Sequence, residues 1–398
     1  MLLSDIICLP ILVCQITVKN SDKSCAGRTV CLSSYIILFM DGVSVVVLAS
    51  GLALGPTLLF AAFLWWLDRY EKEPIPLLLV AFLWGAVPAV VLAIILELGL
   101  GFPLEQVILT NQAREITNAS VIAPLVEEAL KAVILVVLFL AYRREFDNVL
   151  DGVIYGAMVG LGFAMVENSF YFIFIAYDDQ PFVGAPHIDR IVSLWVVRAG
   201  LFGLNHSMFT AFTGAALGLA RSLKYAWQKG LVAALGLGAA MFFHATHNTL
   251  GTLAGVLASD PENPQVALAL GACLGILVSD WGGLLVILVL TIVSSVREGE
   301  VIRQTLWEEV ALGRFTPDEY ATLMSGRRRW NVRWSVLFSQ GFRRWRQMGK
   351  FFDLSTELAF RKHRMNDGDA IHQNISARDI AQLRGKIDRL KMEMLGVR

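Results

Sequence analysis

The stretch SVIAPLVEEALKAVILVVLFLAY, Ser120 to Tyr142, reads as a membrane-spanning helix with two adjacent carboxylates inside it, Glu127 and Glu128. Its length at 1.5 Å per residue suffices for a hydrocarbon core of roughly 30 Å. An ionised carboxylate is costly there, so two side by side need partners, water or a metal. Candidate partners lie in the next three apolar segments: Glu167 in GFAMVEN, His206 in NHSMFT and His244 in FHATHN.

Composition sets the class. The chain is 56% hydrophobic and 17% charged, with mean hydropathy +0.58, too apolar for a soluble domain of this length. Seven stretches are long enough to cross a bilayer, near 43–67, 76–100, 120–142, 150–176, 192–220, 230–257 and 266–296. The expected fold is therefore all-α: a polytopic membrane bundle over residues 40–296, followed by a helical tail over 297–398. Residues 1–39 differ from the rest. They hold four of the five cysteines and only a short apolar run, so they read as an atypical extension or a wrong start, with Met40 as the true first residue.

Loop charge orients the bundle. Lys and Arg are richer in the connections after the first, third and fifth spans (Arg69 and Lys72; Arg143 and Arg144; Arg221, Lys224 and Lys229) than in those after the second, fourth and sixth. The tail, with 20 basic and 13 acidic residues, follows an odd number of spans and joins the richer side. It is expected to be cytoplasmic. In that frame Glu127, Glu128, Glu167, His206 and His244 all fall in one layer of the outer half of the bilayer.

Helical spacing refines the cluster. Residues four apart share a face, which pairs Glu127 with Lys131, His206 with Thr210 and His244 with Asn248. Glu127 and Glu128 diverge by about 100°, so one can face the centre while the other holds Lys131 or a neighbouring helix. Glycines 160, 162, 214, 218, 236 and 238 would allow close helix approach. Two chemistries suit such a site. Two imidazoles and a carboxylate can bind Zn²⁺ and leave a position for water; alternatively, a poorly solvated glutamate activates water directly, with histidine support. Both predict amide hydrolysis.

The strings DRYEKEP (Asp68 to Pro74), AFLWGAVPA, APLVEEALKA, GLGFAMVENSFYF, NHSMFTAFTGAALG and FHATHNT together resemble the PrsW family of intramembrane proteases, in order and with similar separations, over about residues 56–260. That family is related to the type II CAAX prenyl proteases, which share a diglutamate and two later histidine motifs. The resemblance implies catalytic or ligand roles for Glu127, Glu128, Glu167, His206 and His244, supported by Asn248. It leaves Glu167, His206 and His244 as the metal set if a metal is used. It also implies a membrane-anchored protein substrate, such as an anti-sigma factor, cut on its outer side. An ion or proton-coupled transporter, or an inactive scaffold binding transmembrane helices, would use similar residues differently.

Other polar residues read as structural. Lys131 is an ion-pair partner, Arg198 and Glu97 reach the interface, Asp151 caps a helix and His247, three residues after His244, packs between helices or joins the same pocket as an additional ligand. Asp280, before Trp281, Gly282 and Gly283, suggests a break or kink that exposes it to water, with a site role as the alternative. In the tail, Thr316 and Pro317 mark a helix start, Arg327 to Phe352 mixes arginine with tryptophan as interfacial helices do, and Ile380, Leu383, Ile387, Leu390 and Met394 form an apolar stripe. The stripe suits packing on the protein itself, with self-association as the other use. No motif points to nucleic acid.

Overall fold

The computed structural model describes residues 42–395 except 69, 71, 108–109, 144, 177–187, 260–264 and 367–376. The atypical segment 1–39 and the proposed start at Met40 lie outside the described residues. The described residues are helical, without strands, and divide into two compact units. One takes the chain to Trp65 and Pro74–Val289; the other takes Trp66–Glu73 and Leu290–Arg398.

In the first unit, α1 is Gly42–Leu67 and α2 is Ile75–Trp84, which passes through a π turn at Gly85–Ala89 into α3, Val90–Val107. Pro88 lies in that turn, where the wider winding accommodates a residue that cannot donate to the helix ladder. Next, α4 (Asn111–Thr117) continues through a second π turn, Asn118–Ile122, into α5, Ala123–Ala141. Then come α6 (Val149–Ala176), α7 (Ile188–Trp195) with a π turn at Val196–Leu201, α8 (Asn205–Ser222), α9 (Ala226–Ser259) and α10 (Val266–Ala311), whose residues from Leu290 onward belong to the second unit.

Six of the seven expected spans are helical, whereas the fifth, expected over 192–220, is broken at 202–204 between the π turn and α8. Five are long and apolar enough to cross a membrane: Val43–Leu67, Ile75–Leu100, Val149–Ala176, Ala226–Leu257 and Val266–Ala311. The other two, α5 and α8, are the ones diluted by site residues. Three charges (Glu127, Glu128, Lys131) fall within α5, and α8 opens on Asn205 and His206.

Helix α6 is the buried centre. Gly152, Gly156 and Gly160 recur every fourth residue on one of its faces, and a Cβ on them would collide with the backbone of α8 at Gly214, Thr210 and His206 respectively. Gly162, on another face, meets Phe82 of α2 and Ala86 of the following π turn. Small residues thus let three helices approach backbone to backbone. Gly218 and Gly236 are also crowded, but Gly238 has open space around it and is not a packing glycine. At the start of α6, Asn148 Oδ1 accepts from the Leu150 and Asp151 amides while Asp151 accepts from Asp147 and Asn148, so the cap is shared between two side chains. Apolar side chains such as Val43, Leu59, Leu235 and Val278 are exposed on α1, α9 and α10, as lipid-facing surfaces require.

In the second unit, α11 (Pro317–Leu323) starts on a capping box: Thr316 Oγ1 accepts from the Glu319 amide at 3.2 Å and Glu319 accepts from the Thr316 amide at 2.7 Å. Helices α12 (Gly326–Asn366) and α13 (Ala377–Leu395) follow. Ile380, Leu383, Ile387 and Leu390 join Ile302, Leu306, Phe315, Leu323, Phe351 and Leu358 in one core, with Met394 against it. The stripe therefore packs on its own chain.

Candidate active site

Helix α5 presents Glu127, Glu128 and Lys131 to the interior, all buried. Lys131 Nζ donates to Glu127 Oε2 at 3.1 Å and to Glu128 Oε1 at 2.9 Å, and lies 3.1 Å from His206 Nδ1. Its ammonium also sits 3.7 Å above the Phe163 ring of α6, a favourable position for a cation. Lys131 is thus a bridge among three site residues as well as the ion-pair partner its spacing suggests.

Each imidazole is held by a carboxylate. His206 Nε2 is 2.8 Å from Glu167 Oε2, and His244 Nδ1 is 3.1 Å from Glu128 Oε1. A ring nitrogen so placed carries the proton, which assigns the other nitrogen as acceptor. The acceptor of His206 is then Nδ1, facing Lys131. That of His244 is Nε2, 3.9 Å from Glu127 Oε2. Glu128 is further fixed by Thr210, whose hydroxyl donates to Oε2 at 3.0 Å.

One ligand atom each from Glu127, His206 and His244 lie within 4.8 Å of one another, the only such metal-suited group found among the described residues. Glu167, which the sequence grouped with the imidazoles, lies outside this trio. It meets His206 on the opposite ring nitrogen and accepts from Arg198 Nη2 at 2.7 Å. The donor set fits a divalent metal on three grounds. Two imidazoles and a carboxylate are a zinc set, both imidazoles have the carboxylate backing that metal-binding histidines use, and the Lys131 ammonium already occupies a cation position between Glu127 Oε2 and His206 Nδ1.

Several neighbours make contacts that the sequence did not show. Arg198 rides on the π turn after α7 and, instead of reaching the interface, donates to Glu167 and to Asn168 Oδ1 at 2.7 Å and covers the Tyr171 ring at 3.7 Å. Asn248 Nδ2 donates to the Ala119 carbonyl at 2.9 Å, which ties α9 to the π turn preceding α5, where the ladder is interrupted. Asp280 is buried in an unbroken α10, not exposed at a kink. It accepts from Asn205 at 2.8 Å and lies 2.7 Å from His247 Nδ1. His247, Asn205, Arg198, Phe209 and His206 line a cavity of about 60 Å³, room for several water molecules.

The sequence comparisons agree with this geometry. A family model described as PrsW family intramembrane metalloprotease matches residues 73–296, more than half of the chain. The chain belongs to the PrsW family. Protease PrsW of Clostridioides difficile (strain 630) is 36% identical over 104 residues, covering 26% of this chain and 42% of that protein. Protease PrsW of Geobacillus kaustophilus (strain HTA426) is 30% identical over 180 residues, covering 44% and 66%. Protease PrsW of Bacillus subtilis (strain 168) is 30% identical over 132 residues, covering 32% and 54%. The chain thus spans between 42% and 66% of the length of these PrsW relatives. No solved structure matches. Family and helices together make the chain an integral membrane protein.

Proposed function

We propose that this chain is an intramembrane protease that hydrolyses a peptide bond of a membrane-anchored protein at the Glu127, Glu128, His206 and His244 cluster. The observation that carries this reading is the paired support of the imidazoles: Glu167 holds His206 and Glu128 holds His244, leaving one nitrogen of each for a shared centre beside Glu127. The family description as a metalloprotease supports a metal there.

Zn²⁺ is the proposed ion, held by Glu127, His206 and His244, where it would polarise the scissile carbonyl and acidify water. Glu128 acts as the base, taking a proton from the attacking water and returning it to the leaving amine. Lys131, which the ion would displace from Glu127 Oε2 and His206 Nδ1, keeps its ion pair with Glu128. Arg198 and Glu167 keep the His206 ring from turning, and Asn248 fixes α9 against the start of α5. The cavity beside His206 supplies water to a site otherwise walled by apolar helices.

The distribution of Lys and Arg supports a cytoplasmic C-terminus and a cut toward the outer face, and the resemblance supports an anti-sigma-factor-like substrate. A reporter fused after Arg398 should then be cytoplasmic, and one inserted at 260–264 outside; the opposite labelling would invert the site. The activity itself is tested in proteoliposomes with a single-span protein substrate. Wild type should cleave it, while Glu128→Gln and His244→Ala should lose cleavage by orders of magnitude with membrane insertion intact. Full cleavage by both variants would refute the reading.

A further inference from the structure

Residues 326–352, GRRRWNVRWSVLFSQGFRRWRQMGKFF, contain eight Lys and Arg and no Asp or Glu. They do not form one straight helix. At Gly341 the backbone takes φ +80° and ψ 176°, a region open essentially only to glycine, and the two arms of α12 fold back on each other. Arg333 lies 4.1 Å over the Trp345 ring and against Gly349. Arg329 donates to Thr356 at 2.8 Å. Pairings of 333 with 345 and 349, then 329 with 356, define an antiparallel hairpin with Gly341 at its apex.

The inner faces of the arms are occupied: Phe351 and Phe352 belong to the core of the unit, and Val332 and Met348 pack against it. The apex is different. Phe338 is 83% exposed and Phe342 62%, on either side of Gly341. Trp334 stacks on Phe338 with centroids 5.9 Å apart, and Trp330 lies against Trp334 at 5.4 Å. Arg327, Arg328, Arg343, Arg346 and Lys350 on the same two arms are exposed.

We propose that this hairpin is a membrane-docking element whose apex enters a leaflet rich in anionic phospholipid. Phe338 and Phe342 would reach the acyl boundary, Trp330 and Trp334 would lie at headgroup level, and the arginines would bind lipid phosphates. Charge complementarity and shape select this occupant. An acidic peptide would satisfy the arginines but leave a convex aromatic apex uncovered, whereas a bilayer takes up both. The inference does not depend on the protease reading.

The test uses the full chain in nanodiscs, with its native cysteines replaced and a nitroxide attached at Phe338→Cys. Adding phosphatidylglycerol to phosphatidylcholine discs should raise the ratio of collision with oxygen to collision with a polar nickel complex several-fold. A label at exposed Lys386→Cys should not respond. Combined Arg343→Gln, Arg346→Gln and Lys350→Gln should abolish the rise at 338 while leaving the Tm unchanged, which shows the hairpin still folded. A label at 338 that stays accessible to nickel in anionic discs would overturn the proposal. So would protection that comes from a second copy, seen as spin–spin broadening, or from added nucleic acid without lipid dependence.

Discussion

Lys131 Nζ and His206 Nδ1 lie 3.1 Å apart, which places a buried ammonium on the nitrogen that the Glu167 hydrogen bond leaves free to accept. The same ammonium holds Glu127 Oε2. Lys131 and a metal would therefore compete for two of the same atoms. Lys131→Met should destabilise metal-free protein by about 3–5 kcal/mol, for loss of one partner in a buried ion pair, and so lower its Tm, and it should tighten Zn²⁺ binding. Thermal unfolding with and without Zn²⁺ reads both effects. An equal Zn²⁺-induced Tm rise in wild type and variant would show that Lys131 does not hold the metal position.

Close packing of α6 on α8 sets the register that brings Glu167 to His206. Gly160→Ala would drive a Cβ into the His206 carbonyl, costing about 1–3 kcal/mol by overpacking and displacing the imidazole. Gly238→Ala, with nothing within 4 Å of the added carbon, should leave Tm unchanged or raise it slightly. Similar Tm losses for the two variants would contradict the glycine contact described.

Asp68, just past the end of α1, is buried and accepts from the Glu73 amide at 2.8 Å. Burial pushes its pKa up to about 6, and Asp353 adds to the rise, against the opposing pull of Lys72 and the Glu73 hydrogen bond. The folded state thus holds the proton more tightly than the unfolded chain, whose value is near 3.8, and stability falls as pH rises from about 4 to about 6. Asp68→Asn should match the wild-type Tm near pH 4 and exceed it at pH 7, where the variant is more stable by roughly 3 kcal/mol at most. A Tm difference independent of pH would refute this.

How much of this was legible follows from which signals are local. Apolar runs mark the helices because each needs only its own residues, but the break at 202–204 inside the fifth expected span left no such mark. The π turns dilute no hydropathy and leave no such mark, so the position of Arg198 opposite Glu167 was hidden. The cluster residues were visible as costly polar groups inside apolar helices, but their pairing was not. Adjacent Glu127 and Glu128 point about 100° apart, and only the packing decides that Glu128 backs His244 while Glu127 faces the shared centre. His247 and Asp280 were each noticed; their contact, made between helices 33 residues apart, has no local signature, and Asn205 between them was missed.

The most direct measurement is metal content against cleavage in purified protein. Wild type should hold close to one Zn²⁺ per chain, His206→Ala and His244→Ala should lose it, and Glu167→Gln should keep it with affinity weakened about 10–100-fold, as for loss of a carboxylate behind a ligand histidine. Chelation should stop cleavage and Zn²⁺ should restore it. Metal-free protein that cleaves its substrate at the undiminished rate would contradict the account.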